Sequence, residues 1–117
     1  ARQAMLMQRV ARGADAMSAR EALEIATLGG ATVLGRADAL GSLEPGKRAD
    51  IAIWDLRGLQ AAGAWDPVAA LVLCGPHRVR HLLVEGRQVV RDGHLTGIDA
   101  SALATAARSA TARLMAG

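Results

Sequence analysis

The stretch "GSLEPGKRADIAIWD", residues 41 to 55, constrains the fold of this chain more than any other. Pro45 presets the first central position of a turn and Gly46 accepts the positive φ of the second, which predicts a type II turn. Two basic side chains follow, Lys47 and Arg48, and the chain then enters a strand expected over residues 49–54. Ile51 and Ile53 fall on one face of that strand, Ala52 and Trp54 on the other. Both faces are apolar, so the strand calls for cover on both sides. Asp50 and Asp55 flank it and are expected to pair with Lys47 or Arg48 at a solvated edge.

Upstream, Met5, Leu6, Arg9 and Val10 recur at helical spacing, and Gly13 stands where a C-terminal cap belongs, so a helix is expected over 2–12. Ser18 and Glu21 form the S-x-x-E capping box that opens a second helix, 19–34, closed by Gly35. Ala22, Ile25, Ala26, Gly29, Gly30 and Val33 share one broad face of it. Paired glycines weaken a helix, and their use here is expected to be close packing against a neighbouring element. "LGGATVLG" matches neither glycine-rich phosphate fingerprint, because its glycines lie inside a helical pattern.

Downstream, Asp66 and Pro67 make an N-cap and N1 pair ahead of "VAALVLC", read as a helix with a strand as the alternative. "RVRHLLV", residues 78–84, reads as a strand; Glu85-Gly86 turns it into a second arm, 87–91, and Asp92-Gly93 marks the next turn. The tail is an alanine-rich helix, 100–115, capped by Asp99 or Ser101. Its face of Leu103, Ala106, Ala107, Ala110 and Leu114 needs something to pack on.

Composition narrows the function. The net charge of +3 comes from thirteen arginines and one lysine interspersed with acids, and the only aromatics are Trp54 and Trp65. Nucleic-acid binding is not expected, since neither a gathered basic patch nor aromatics for stacking are present. Cys74 is the single cysteine, so no intrachain disulfide forms; it reads as a buried small hydrophobe. No apolar run approaches a membrane span. A soluble, cytoplasmic protein is the expectation. The chain starts at Ala1, inside an amphipathic pattern with no capping residue ahead of it, which reads as part of a longer polypeptide.

Candidates for chemistry are few. On a strand, His77 and His81 lie on one face but roughly 13 Å apart at about 3.3 Å per residue, too far to share one zinc ion. With His94 they read as surface or hairpin histidines. Ser18 and Ser101 read as caps, Ser42 as a loop residue and Ser109 as a helix-surface residue; none sits on a G-x-S-x-G elbow. Glu21, Asp66, Asp92 and Asp99 are accounted for by caps and turns. The residues alone supply no catalytic, cofactor-binding or metal site.

"GSLEPGKRADIAIWDL", followed some thirty residues later by "VRHLLVEGRQVVRDG", resembles the C-terminal part of the amidohydrolase superfamily. "SAREALEIATLGGATVLGR" looks like the last barrel helix. With "ARQAMLMQRVARGADAM" and "WDPVAALVLCGP", it is most similar to the branch that contains 8-oxoguanine deaminase and hydroxyatrazine ethylaminohydrolase. The resemblance implies an α+β fragment: the terminal helices of a metal-dependent (β/α)8 barrel over 1–40, the returning half of a small β-sandwich over 41–97, and a C-terminal helix over 98–117. It also implies a hydrolytic deaminase in which a divalent metal, zinc or iron, activates water. The family's metal ligands are a His-x-His pair, two further histidines and an aspartate at the ends of barrel strands. None of these positions is matched here, so His77, His81 and His94 are not candidates for them and this segment is expected to hold no metal and to be inactive alone. The implied partners are the barrel and sandwich strands missing from these residues, a small heterocyclic substrate and a second copy of the chain. Two alternatives stay open: a free-standing structural or interaction module, and another amidohydrolase such as a chlorohydrolase, guanine deaminase or imidazolonepropionase.

Overall fold

The computed structural model describes residues 1–116. In order they form α1 (Arg2–Arg12), α2 (Ala19–Glu24), a π-helical turn (Ile25–Gly29), α3 (Gly30–Val33), β1 (Ile51–Trp54), a 3-10 turn (Leu59–Ala61), α4 (Pro67–Leu73), β2 (Val79–Val84), β3 (Arg87–Arg91), β4 (His94–Leu95) and α5 (Ala100–Ala116). The result is a small α+β unit with one antiparallel sheet, ordered β1-β2-β3-β4.

The capping box opens α2 as expected. Ser18 N–H donates to Glu21 Oε2 at 2.7 Å, and Glu21 N–H donates to Ser18 Oγ at 3.2 Å. The Ser18 N–H and the Ser18 hydroxyl, which donates to the same oxygen at 2.7 Å, hold the Glu21 carboxyl below its ordinary value, the N–H contributing most. Ser18→Ala is expected to lower the unfolding free energy by about 1 kcal/mol. A depressed carboxylate stabilises the fold above its unfolded pKa and loses that contribution as pH falls through the folded one. The gap between wild type and Ser18→Ala in urea titrations should therefore be full at pH 7 and shrink below pH 4.

The helix expected over 19–34 is interrupted. Residues 25–29 widen into a π turn, where Thr27 Oγ1 donates back to Leu23 O at 2.9 Å and to Glu24 O at 3.3 Å. A hydroxyl bonding the preceding turn and two weak helix formers, Gly29 and Gly30, loosen the α ladder at this place. The helix then closes in a Schellman motif: Arg36 N–H bonds Ala31 O at 2.8 Å, and Gly35 N–H bonds Thr32 O at 2.9 Å. Among the described residues the expected close approach at the glycine pair is not made. A Cβ on Gly30 would meet nothing within 4 Å, and one on Gly29 nothing nearer than 3.7 Å.

The close approach lies at Gly41 instead. A Cβ there would stand 2.8 Å from Leu28 Cα and 2.9 Å from Ala31 Cβ, and its φ of +92° is itself a glycine conformation. Gly41 thus seats the loop after α3 on the helix. Gly46, at φ +93°, completes the turn with Pro45, and Lys47 N–H bonds Glu44 O at 3.1 Å.

Lys47 then locks the loop from within. Its side chain is only 12% exposed, and its ammonium donates to Ala37 O at 2.7 Å and Ser42 Oγ at 2.6 Å while facing Glu44 Oε1 at 3.3 Å. The expected pairing of Lys47 or Arg48 with Asp50 and Asp55 does not occur. Arg48 pairs with Glu85, and Asp50 Oδ1 accepts the Glu85 N–H at 2.6 Å. With Gly86 N–H on Ala49 O at 3.0 Å, the β2–β3 turn is pinned to the entrance of β1.

The core is helical: Met5, Ala19, Ala22 and Val72 are buried together, so α1, α2 and α4 close on one another. Asp66 caps α4 by accepting Val68 N–H at 2.9 Å, which settles that segment as helix. Cys74 is half-buried at the end of α4 rather than enclosed. In the sheet, Ile51, Ala52 and Ile53 pair with Leu83, Leu82 and His81. A register shift after Ile53 leaves Arg80 unpaired in β2, because Trp54 pairs with Val79. Glu85-Gly86 and Asp92-Gly93 both take left-handed φ, the signature of tight hairpin turns. The second leads into β4, a strand of two residues, too short to show alternation in the sequence.

β1 is an edge strand, and its apolar residues are only partly covered: Ile53 is 45% and Trp54 38% exposed. α5 starts on Asp99, whose Oδ1 accepts the N–H groups of Ser101 and Ala102, so Asp99 and not Ser101 is the cap. No described residue of α5 is buried, so the partner its apolar face calls for is not among residues 1–116.

Candidate functional site

The densest group of ionisable side chains lies at the end of β1, where the bulge aims Arg80 between two carboxylates. Arg80 Nη1 donates to Asp55 Oδ2 at 3.2 Å, and Arg80 Nε reaches Asp92 Oδ1 at 3.5 Å. Arg57 holds Asp55 as a fork, with Nε on Oδ1 at 2.8 Å and Nη2 on Oδ2 at 2.6 Å, and its backbone N–H adds a bond of 3.1 Å. Asp55 is held well below the usual carboxylate range, chiefly by the Arg57 side-chain bond, then by the Arg57 N–H, with the charges of Arg57 and Arg80 adding to both. A carboxylate so stabilised is a poor proton acceptor, so Asp55 is an anchor and not a general base.

His81 stands beside this group. Its Nδ1 faces the Asp92 N–H at 3.3 Å and Gln88 Nε2 at 3.2 Å, and its Nε2 lies 3.7 Å from Asp92 Oδ1. The Asp92 N–H can only donate, so it fixes Nδ1 as the acceptor and the proton on Nε2. His81 is thereby committed to the β3–β4 turn. An open crevice lined by Ile53, Trp54, Asp55, Leu56, Arg57, Arg80 and His81 runs alongside.

The other candidates lie apart. His77 Nε2 meets Ala70 O at 3.1 Å and so closes the end of α4, while its Nδ1 is buried without a partner among the described residues. His94 is exposed in β4. Ser42 donates to Glu44 and accepts from Lys47, and Ser109 is exposed on α5. Among the described residues, no three His, Cys, Asp or Glu side chains come together in a way that could hold a metal ion. The donors present do not fit a divalent metal: one nitrogen each of His77 and His81 is spent on backbone, and the carboxylates nearest His81 are tied to arginine. No step through a metal is derived for these residues.

What sequence reasoning missed here is the Arg57 and Arg80 pairing of Asp55. The Asp55-x-Arg57 spacing was a visible local signal; the bulge that delivers Arg80 was not.

Comparison with known proteins places this arrangement. Residues 1–89 match the amidohydrolase family. The 8-oxoguanine deaminase of Pseudomonas aeruginosa is 43% identical over 117 residues, all of this chain and 26% of that protein. The 5-methylthioadenosine/S-adenosylhomocysteine deaminase of Teredinibacter turnerae is 40% identical over 96 residues, 81% of this chain and 22% of that one. Among solved structures, a zinc-bound adenosine deaminase from Xanthomonas campestris superposes with a TM-score of 0.91 at 32% identity, covering 99% of this chain and 27% of its own. The chain therefore spans about a quarter of the length of the relatives it matches. With most of its length inside the match and its fold reproduced in a solved relative, the chain belongs to the amidohydrolase family.

Proposed function

We propose that this chain is the C-terminal part of a metal-dependent hydrolytic deaminase that acts on a purine-like or triazine-like ring, with 8-oxoguanine the leading substrate. In that reaction water adds to a ring carbon and ammonia or an amine leaves. The observation that carries the reading is the 43% identity to an 8-oxoguanine deaminase across all 117 residues. Several of the matching relatives are deaminases and others are triazine hydrolases, and the solved Xanthomonas campestris deaminase holds zinc. A divalent metal, zinc or iron, belongs to the full-length enzyme under this reading, and its ligands lie outside the present residues.

The division of labour follows. Residues 1–40 supply the last helices of the barrel, 41–97 the returning half of a β-sandwich, and 98–117 the closing helix. The segment's own contribution is mechanical: Gly41 and Lys47 fix the crossing from helix to sheet, and the Asp55, Arg57, Arg80 and Asp92 network fixes the sheet's end. The proposed partners are the missing strands of the same enzyme, a small heterocycle and a second copy of the chain.

Release of ammonia from 8-oxoguanine or guanine, and of ethylamine from hydroxyatrazine, by the full-length polypeptide tests the reading. Turnover of 8-oxoguanine with at least tenfold higher kcat/KM than the others is expected. Exclusive turnover of guanine, or of a chlorinated ring with release of chloride, would replace this substrate assignment by another of the family.

A further inference from the structure

We draw no further inference here: the strongest candidate, the open crevice beside the end of α4 that His77 lines with Trp54, Leu71 and Pro76, its Nδ1 buried without a partner among the described residues, carries nothing, because the His77 side chain is only partly buried and nothing in the structure shows what covers that crevice in a chain that spans about a quarter of its relatives' length.

Discussion

Gly41→Val in the full-length polypeptide is expected to lower the unfolding free energy by about 2–6 kcal/mol, summing backbone strain and overpacking of about 1–3 kcal/mol each. The cause is doubly determined. At φ +92° any side chain is strained, and the new Cβ would lie 2.8 Å from Leu28 Cα, a backbone atom that cannot swing aside. Relief requires the loop to lift from the helix, which moves Ser42, Lys47 and the entrance to β1 together. Chemical denaturation should show the loss, whereas Gly30→Ala, which meets nothing within 4 Å, should be neutral or stabilising by contrast. Equal losses at the two glycines would refute the view that Gly41, and not the Gly29-Gly30 pair, is the point of close approach within the chain.

Lys47→Met is the second large effect, about 1–3 kcal/mol, because it leaves Ala37 O without its donor in a largely buried place. Lys47→Arg should recover only part of it: a flat guanidinium fork does not place one donor where a compact ammonium satisfies Ala37 O and Ser42 Oγ together. The loss should depend on pH. Glu44 is held below its ordinary value, first by Ser42 and then by Lys47. Its contribution is therefore present above the unfolded carboxylate range and is lost as pH falls through the folded pKa. Wild type and Lys47→Met should converge partly below pH 4, and parallel stability curves across that range would contradict this account of the loop.

Local signals explain which parts of the fold were legible. The Ser18–Glu21 box, the Asp66-Pro67 start of α4, the Pro45-Gly46 turn and the Glu85-Gly86 hairpin each carry their cause within a few residues, and each stands where the sequence places it. The failures are non-local. Asp50 and Asp55 lie near Lys47 and Arg48 in sequence, yet the antiparallel pairing of β1 with β2 brings Glu85 to Arg48 and Arg80 to Asp55 instead. β4 was missed because two residues give no alternation to read. Among the described residues the close approach falls at Gly41 and not at the glycine pair, since nothing local says which glycine a returning loop will reach.

The same logic applies to the candidate site. No residue pattern in the sequence assembled a catalytic group, and the densest charged cluster among the described residues is tied up internally as a structural fastening. The resemblance carried the functional reading, through the turn and strand at 41–55 whose apolar faces remain partly bare here.

Metal content is the most direct test of the central claim that these residues frame a deaminase without holding its chemistry. Elemental analysis of the full-length polypeptide and of residues 1–117 expressed alone, each after dialysis against metal-free buffer, should find tightly bound zinc or iron in the first and none at stoichiometric level in the second. One tight metal per chain in the isolated segment, or ammonia release from 8-oxoguanine by that segment, would contradict the account.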